Sequence, residues 1–600
     1  MEVMTPPKKL LSGGQFIISD SDYKHIFIPE DFSEEQHMIF DTVRDFIKQE
    51  IRPYTDRIEK LEEGLIPSMM EKFAELGFFG THMPEELGGS AMDFITNTAI
   101  GEAVGPSGSF SVSYNAHTGI GMLPILYFGN ETQKQKYIPG LITGQLKASY
   151  CLTEPSSGSD ALAAKTTAIL NAEKTHYILN GQKMWITNAG FADIFTVFAQ
   201  VGGDQFTGFI LEKGMPGFTL GAEEKKLGIK GSSTRMVFLE NVSVPVENVL
   251  GDIGKGHLIA FNVLNIGRFK LGASTLGASK MLVNVATEYA LEREQFDTKI
   301  AQFGAIQHKL AEMTIQNFIA ESVVYRVAQA IQLMEEYEKS EGSSFEKCKL
   351  EAAEEYALEC SIVKILGSEV LDYSVDEAVQ IYGGMGYSEE GVVARAYRDS
   401  RINRIFEGTN EINRLLIIST LLKRAMKGEI DLMTPALVIQ KELMEGIQDN
   451  KSFEGPYIEE QQALSQYKKA LIMLLGTAAQ KAMSGDLDLK EEQEIVMNFS
   501  DLLMTIYNLE SVLLRCMKVK DQITTPKADL YTLVLKTVLH EANSSVYKIS
   551  MDLIGSFVDQ SLQGAYISGI RKYTKYPLQN TKENRRKIAA AVNEAKGYCF

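Results

Sequence analysis

Residues 404–411, Arg404-Ile405-Phe406-Glu407-Gly408-Thr409-Asn410-Glu411, place one carboxylate between an apolar pair and a glycine-led turn. A carboxylate held against Ile405 and Phe406 is poorly solvated, which raises its pKa and strengthens it as a base towards a carbon-bound proton. Glu407 is therefore a candidate catalytic base. For this stretch taken alone, the alternative is a surface carboxylate that precedes a helix cap.

Four further motifs precede this stretch along the chain. They are Tyr150-Cys151-Leu152-Thr153-Glu154-Pro155-Ser156-Ser157-Gly158-Ser159-Asp160, Met184-Trp185-Ile186-Thr187-Asn188, Arg293-Glu294-Gln295-Phe296 and Gln380-Ile381-Tyr382-Gly383-Gly384-Met385-Gly386. With residues 404–411, and in this order, they resemble the motifs of the acyl-CoA dehydrogenase family over about residues 32–425. Asn265-Ile266-Gly267-Arg268-Phe269, together with a helical extension beyond the core, is similar to the very-long-chain branch of that family.

The pattern of apolar residues predicts an α+β protein. From Ser33, with Gln36 three residues on as a capping box, apolar residues recur at helical spacing, and helices are expected up to about residue 148. Beyond that residue the pattern is strand-like, with predicted strands at 194–198 and 208–211. Long helical patterns resume after the glycine-rich stretch 251–256.

Two glycine patterns need separate interpretation. Asn180-Gly181 follows the strand-like run 176–179 and predicts a two-residue hairpin. The clusters 251–256 and 383–386 are not dinucleotide fingerprints, because that motif requires a strand before the glycines and a helix after them within a βαβ unit. A nicotinamide-dependent enzyme is therefore disfavoured.

The resemblance implies the acyl-CoA dehydrogenase fold, with an N-terminal helical domain, a middle β-barrel-like domain and a C-terminal four-helix bundle. An extra helical domain would follow this core. The expected bounds are 1–31 for an N-terminal extension, 32–148 for the first helical domain, 149–250 for the β-domain, 251–428 for the bundle with the catalytic glutamate, and 429–600 for the C-terminal extension.

Composition limits the class of protein. Six hundred residues exceed what one hydrophobic core supports, so several domains are expected. The net charge of -18 argues against nucleic-acid binding, which requires clustered Lys and Arg. The five cysteines and eight histidines have no metal-ligand spacing, so no metal site is expected, and unpaired cysteines favour a reducing compartment.

No targeting signal is recognised in the first thirty residues. They contain no Arg and hold the acids Glu2, Asp20 and Asp22, unlike a mitochondrial transit peptide. No apolar window approaches the roughly 20 residues of a membrane span. A cytoplasmic protein is expected, or a protein of the mitochondrial matrix if a transit segment has been removed.

The resemblance also implies a reaction. It is the FAD-dependent dehydrogenation of long-chain fatty acyl-CoA to trans-2-enoyl-CoA in fatty acid β-oxidation, with electrons passed to an electron-transferring flavoprotein. Glu407 would remove the α-proton while a hydride leaves the β-carbon, and the backbone N–H of Glu407 would bind the developing enolate oxygen. Some branches take the base from the helix before Arg268, but residues 265–267 contain no carboxylate.

The resemblance assigns most other site residues to the flavin. Thr153 and Thr187 would meet the isoalloxazine edge and Trp185 its face, while Arg293 and the glycines after residue 382 would meet the adenylate half of an FAD held by a neighbouring subunit. The expected cofactor-binding residues are Tyr150, Leu152, Thr153, Ser159, Trp185, Ile186, Thr187, Arg293, Phe296, Gln380, Gly383, Gly384, Thr409 and Glu411. The expected substrate-binding residues are Ser159, Asn265 and Arg268. The alternatives are a core aromatic for Trp185, a helix C-cap for the glycines and a surface charge for Arg268.

Two features bear on substrate and assembly. Small residues dominate Gly105 to Ala116, where medium-chain relatives carry bulky side chains, which fits a deep acyl pocket or close helix packing equally. Apolar periodicity through Leu502, Leu509 and Leu530 predicts a helical bundle after residue 430, which in the resembled branch accompanies homodimers and membrane-surface contact. A basic cluster here could contact anionic lipid or form a solvated helix terminus; it comprises Arg571, Lys572, Lys575, Lys582, Arg585, Arg586 and Lys587.

Two other functions remain open from the sequence. A peroxide-producing acyl-CoA oxidase shares the flavin and the glutamate base, and differs in leaving its reduced flavin open to oxygen. A non-catalytic assembly factor could reuse the same fold.

Overall fold

A computed structural model describes residues 11–446, 451–523, 525 and 527–600. Its elements follow the predicted order of helices, strands and helices, with a further set of helices at the end. The first ten residues of the predicted N-terminal extension lie outside the described residues. Residues 11–31 pack between the core helices and the C-terminal extension, where Glu30 bonds Arg515 and the Gly14 N–H donates to Glu359.

Seven helices form the N-terminal region. Ser33 caps the first of them, and the predicted capping box is confirmed, since the Ser33 Oγ accepts from the Gln36 N–H and the Gln36 side chain accepts from the Ser33 N–H. The helices are α1 (Glu34–Phe46), α2 (Thr55–Glu59), α3 (Leu65–Glu75), α4 (Phe94–Val104), α5 (Ser109–Ala116), α6 (Leu123–Phe128) and α7 (Glu131–Ile142). A π-helical turn over His117–Gly121 joins α5 to α6.

The middle region is one mixed sheet of eight strands. They are β1 (Ala148–Cys151), β2 (Thr167–Leu170), β3 (His176–Thr187), β4 (Ile194–Val201), β5 (Gln205–Glu212), β6 (Phe218–Glu223), β7 (Thr234–Pro245) and β8 (Val249–Leu250). The strand order is β6-β7-β3-β2-β4-β5-β8, and β1 pairs with β4. The path ends at β6 and β8, so this region is an open sheet rather than a closed barrel. Both strands predicted from the strand-like pattern, at 194–198 and 208–211, are confirmed.

The hairpin predicted at Asn180-Gly181 is wrong. Strand β3 runs straight through the dipeptide and pairs with β7 on both sides, with a register shift between Leu179 and Gly181. Asn180 and Asn241 of β7 exchange hydrogen bonds across this shift, so the dipeptide serves a β-bulge. The turn that joins β2 to β3 lies earlier, where the Asn171 side chain accepts from the N–H groups of Thr175 and His176.

The core helices resume at Gly256, as the glycine-rich stretch predicted. They are α8 (Gly256–Glu292), α9 (Gly304–Ser340), α10 (Phe345–Glu355), α11 (Ala357–Tyr382), α12 (Val392–Ser400) and α13 (Asn410–Met426), with a short hairpin of β9 (Glu294–Gln295) and β10 (Thr298–Lys299) after α8. Glycines allow α8 to pack closely against its neighbours. A Cβ at Gly105 would collide with the Ser274 carbonyl, so close packing explains this glycine.

The C-terminal extension contains α14 (Met433–Glu445), α15 (Ile458–Ser484), α16 (Gln493–Gln522), α17 (Ala528–Phe557), α18 (Gln560–Tyr573) and α19 (Thr581–Ala595). Leu502, Leu509 and Leu530 are buried, as the periodicity predicted. The hydrophobic core of the extension is continuous with that of α8, α9 and α11. Buried ion pairs cross the same boundary, including Arg515 of α16 with Glu321 of α9 at 2.8 Å. The extension is therefore built onto the core over a broad contact.

The predicted basic cluster is interrupted in the structure. Arg585 is largely buried and pairs with Glu312 and Glu541, which removes it from any surface that could contact lipid. Lys582 and Arg586 both pair with Glu583. In the described ranges, no helix is long and apolar enough to cross a membrane. All five cysteines are buried and unpaired.

Candidate functional site

One cleft of about 1880 Å³ lies between the β-sheet, α8 and the start of α13. It brings together sequence motifs that are more than two hundred residues apart. The predicted site residues that line it are Tyr150, Leu152, Thr153, Ser159, Trp185, Ile186, Thr187, Asn265, Arg268, Glu407 and Thr409. Ala116 and Ile120 also line it, so the end of α5 and the π-helical turn form part of its wall.

Glu407 lies in a tight turn that leads into α13. Glu407 has a φ of 57° and Gly408 a φ of 81°, so two consecutive residues adopt the left-handed conformation. Thr409 then caps α13, its hydroxyl accepting from the Ile412 N–H at 3.2 Å. No hydrogen bond from the Glu407 backbone N–H is found to the residues that the structure describes. This N–H is therefore available to a ligand.

The Glu407 carboxylate is poorly solvated. Its Oε2 is buried and has no hydrogen-bond partner within the described ranges. Burial raises the pKa of Glu407 to about 7, although the charges of Arg268 and Lys364 act to lower it. A carboxylate with this pKa is half ionised near neutral pH and suits proton abstraction from carbon.

Helix α8 leaves room for this carboxylate at Gly267. A Cβ at that position would lie 2.8 Å from Glu407 Oε2 and 3.4 Å from Ile120. The next residue of α8, Arg268, is buried rather than on the surface, so the surface-charge alternative is wrong. Its guanidinium donates to the Glu407 carbonyl at 3.3 Å and to Asn265 Oδ1 at 2.7 Å.

A β-bulge presents Trp185 to the cleft. The register of β3 shifts between Lys183 and Ile186, and Trp185 itself has a φ of 60°. Its side chain is 51% exposed, so the core-aromatic alternative is wrong. The two loops of this wall are joined, because the N–H of Met184 donates to the Thr153 carbonyl at 2.9 Å.

A buried ion pair anchors the same wall from behind. Lys183 is fully buried and meets Glu154 at 2.7 Å, while Glu154 also accepts from the N–H groups of Lys165 and Thr166. Lys183 further donates to the Leu152 carbonyl at 3.3 Å. These contacts fix the loop that follows β1 against β3.

The polar groups of this wall fit a heteroaromatic cofactor. The Tyr150 hydroxyl is buried and has no partner within the described ranges, and burial raises its pKa well above the ordinary value, with the charge of Glu407 adding to the effect. An exposed indole lies on the same wall as this hydroxyl, at Trp185. A hydroxyl without a partner can bond the polar edge of a planar ring, and an exposed aromatic face can pack against the ring.

The remaining predicted cofactor residues lie outside the cleft. Arg293, Phe296, Gln380, Gly383 and Gly384 are all exposed, and we call these five residues the outer patch. Its two segments are held together by Tyr289 and Tyr382, whose rings stack with centroids 3.9 Å apart. Glu411, in the first turn of α13, is also exposed and does not line the cleft.

Sequence reasoning missed the residues that support the site from behind. Lys364 of α11 donates to the Gly408 carbonyl, and Asn413 donates to the carbonyls of Gly408 and Thr409. Glu154 and Lys183 were also missed as a pair. Asn413 follows Glu407 by less than two helical turns and could have been found as a candidate cap. Lys364 gives no local signal, because its partners are more than forty residues away. No cluster of potential metal ligands occurs in the part of the chain that the structure describes.

The sequence matches family profiles in the order of the domains. The profile of the acyl-CoA dehydrogenase N-terminal domain matches residues 33–145, the middle domain 149–242 and the C-terminal domain 254–422. A second profile, also described as an acyl-CoA dehydrogenase C-terminal domain, matches residues 466–572 in the extension. A probable acyl-CoA dehydrogenase of Bacillus subtilis (strain 168) is 44% identical over 586 residues, 98% of each chain. The chain belongs to the acyl-CoA dehydrogenase family.

Two other members extend this comparison. The mitochondrial very long-chain specific acyl-CoA dehydrogenase of Rattus norvegicus is 40% identical over 372 residues, which are 60% of this chain and 53% of that protein. A crystal structure of an acyl-CoA dehydrogenase complexed with FAD from Bacillus anthracis has 43% identity and a TM-score of 0.94, and covers 98% of this chain and 100% of that chain. This acyl-CoA dehydrogenase fold therefore includes the C-terminal extension in its bacterial relative.

Proposed function

We propose that this protein is an FAD-dependent dehydrogenase of long-chain fatty acyl-CoA that forms trans-2-enoyl-CoA in fatty acid β-oxidation. The observation that carries the proposal is Glu407, whose buried Oε2 has no partner within the described ranges and whose pKa is about 7. A base of this kind can remove the weakly acidic proton α to a thioester carbonyl.

The residues around Glu407 would act on the thioester. Glu407 takes the α-proton, and its open backbone N–H stabilises the negative charge that develops on the thioester oxygen. Arg268 donates to the Glu407 carbonyl and to Asn265. Arg268, Asn265 and Ser159 line the cleft and would contact the coenzyme A moiety. Bound FAD would supply the acceptor for the hydride that leaves the β-carbon, so that one proton and one hydride would be removed together.

FAD would be held by both sides of a subunit boundary. Trp185, Tyr150 and the loop hydroxyls of Thr153 and Thr187 offer a flat face and polar groups to the ring within one chain. The outer patch lies outside that cleft, so its residues suit the adenylate half of an FAD bound by a second copy. We therefore propose a homodimer, in which the extension takes the place of further subunit contacts. Light scattering on the holoenzyme tests this, and a stable tetramer would contradict it.

The long-chain preference rests on two observations. Ala116 rather than a bulky polar residue lines the cleft, and a relative that shares about 40% identity is named for very long chains. The Bacillus subtilis and Bacillus anthracis relatives, which match nearly the whole chain, are bacterial, and this favours a cytoplasmic enzyme over a mitochondrial one. The broken basic cluster gives no support to membrane contact through Arg585.

Electron transfer to an electron-transferring flavoprotein is the expected second half of the reaction. An acyl-CoA oxidase shares the same base and flavin, and it would differ in rapid reaction of the reduced flavin with oxygen. An assembly factor on this fold would differ in failing to reduce its flavin at all.

An anaerobic titration tests the proposal. The purified protein is expected to be yellow, and saturated acyl-CoAs of short, medium and long chain are added in turn while flavin absorbance is recorded. Bleaching that is strongest with long chains is expected, followed by reoxidation with electron-transferring flavoprotein that is much faster than with oxygen. No bleaching by any chain length would contradict the proposed function, and fast reoxidation by oxygen would identify an oxidase.

A further inference from the structure

A lysine buried in the core holds the turn that carries Glu407. Lys364 of α11 is fully buried and forms no ion pair within the described ranges. Its ammonium donates to the Gly408 carbonyl at 2.7 Å and to Asn410 Oδ1 at 2.7 Å. It therefore bonds both the residue that follows Glu407 and the first residue of α13.

This segment needs such support. A non-glycine residue in the left-handed conformation costs roughly 1 kcal/mol or more, and here Glu407 and Gly408 adopt it in succession. Without donors for its carbonyls, the turn could relax and move the carboxylate. Lys364, Asn413 and Arg268 supply these donors, each from its own side chain.

The same lysine is the inner end of a chain of polar contacts that begins in the C-terminal extension. Asp501 of α16 accepts from Arg414 Nε at 2.7 Å, and Arg414 Nη1 donates to Glu369 Oε1 at 2.8 Å. Glu369 Oε1 also accepts from Asn410 Nδ2 at 3.1 Å. Asn410 in turn accepts from Lys364. Five side chains thus connect the extension to the carbonyl that follows the base.

We propose that Lys364 is a positioning residue for Glu407, and that the extension helps to hold it in place through Asp501, Arg414, Glu369 and Asn410. The inference rests on the proposed role of Glu407 as the base. It gives the extension a part in the chemistry of the core in addition to its part in stability. A contiguous chain of contacts is a physical route for such coupling, and coupling is measured by combining substitutions at its two ends.

The charges around the two groups fix the expected direction of a pH effect. Glu407 is faced by Arg268 of α8, Lys364 of α11 and the Tyr150 hydroxyl of β1. Lys364 is faced by the carboxylates of Glu407, Glu411 and Glu369 and by Arg268, and burial lowers its own pKa to about 7. Because a cation beside Glu407 favours the ionised carboxylate, removing that cation raises the pKa of Glu407.

The test compares Lys364→Met, Lys364→Gln and Asp501→Asn in the FAD-loaded holoenzyme. Stopped-flow flavin reduction by a long acyl-CoA is followed across pH. For Lys364→Met we expect a loss of at least about tenfold in rate and a midpoint of the pH profile moved to higher pH. Lys364→Gln retains an N–H for the Gly408 carbonyl and is expected to recover most of the rate. Asp501→Asn is expected to show a smaller change in the same direction.

The double variant Lys364→Met/Asp501→Asn separates coupling from two independent effects. If the contacts act as one chain, the double variant is no slower than Lys364→Met alone, because that chain has already been broken. Rates that fall by the product of the two single effects would overturn the role of the extension. A wild-type rate and pH midpoint in Lys364→Met would overturn the role of Lys364.

One control variant and one further measurement complete the design. Asp552→Asn removes an exposed carboxylate of the extension that pairs with Lys548 away from the chain of contacts, and it should leave rate and pH midpoint unchanged. The ionisation of Glu407 without substrate is measured by infrared difference spectra between each variant and the same variant with Glu407→Gln. This measurement needs no turnover. If the wild type failed to reduce flavin, the proposed function would be rejected, and the pKa shift of Glu407 would still test the role of Lys364.

Discussion

The cleft and the outer patch differ in how far a single chain buries and supports their residues. In the cleft, the carboxylate of Glu407 is buried, its pKa is strongly shifted, and its turn is held by side chains of α8, α11 and α13. In the outer patch, Arg293 and its neighbours are open to solvent. Both regions carry family motifs of similar length. The difference is that one chain buries and supports Glu407, whereas it leaves the residues of the outer patch open to solvent.

The largest expected loss of activity comes from a substitution that affects only the cleft. Glu407→Gln keeps the shape of the side chain and removes the proton acceptor, so flavin reduction by acyl-CoA should fall at least about a hundredfold while FAD stays bound. Stopped-flow absorbance measures the first quantity and the flavin-to-protein ratio the second. Reduction at nearly the wild-type rate would show that another group removes the proton.

A smaller loss is expected from Gly267→Ala. The added methyl would lie 2.8 Å from Glu407 Oε2, so the carboxylate must move away from its position. We expect the rate of flavin reduction to fall by about tenfold, since small displacements of a catalytic group have effects of this size or larger. Gly564→Ala, at an exposed glycine with open space around it, is the matched control. An unchanged rate would mean that Glu407 tolerates displacement.

The outer patch should respond in the opposite way. Arg293→Ala removes a charge that suits the pyrophosphate, so FAD should be lost several times faster on dilution, while the flavin-loaded fraction reacts at the wild-type rate. Lys299→Ala removes a charge of the same sign from the adjoining hairpin and is the variant with which the FAD loss of Arg293→Ala is compared. Full FAD occupancy after extended dialysis would contradict the assignment of the patch.

The smallest expected effect concerns stability. The pKa of Glu407 is raised from 4.5 to about 7, so the stability that the protonated carboxyl contributes is present below about pH 4.5 and is lost as pH rises through about 7. Glu407→Gln avoids this loss. Its thermal midpoint should exceed that of the wild type by on the order of 1–2 °C at about pH 8, and the two should converge near about pH 5. If the difference in thermal midpoint were larger at low pH, the pKa of Glu407 would be lowered by folding rather than raised.

The sequence predicted the cleft better than it predicted its support. Motif residues such as Thr153, Trp185 and Glu407 meet in one cavity. They come from a loop after β1, a bulge in β3 and the turn before α13. Lys364 could not be found, since its partners Gly408 and Asn410 come near it only through the packing of α11 against α13.

The errors in the fold have local causes. Asn180-Gly181 has the chemistry of a hairpin turn, and tertiary context uses it for a bulge against Asn241 instead. Arg585 belongs to a basic run in the sequence, yet its helical position turns it towards Glu312 of the core. In both cases the local sequence identified the polar residues, and the tertiary structure determined which residues they contact.

Trp185 has a practical consequence for spectroscopy. It is the only tryptophan among the 600 residues, and it lines the cleft with half of its side chain exposed. Indole fluorescence from this protein therefore reports on one location rather than on an average over the fold. A flavin bound in the cleft should quench that emission by energy transfer, which gives a direct optical signal for loading and release without any introduced label.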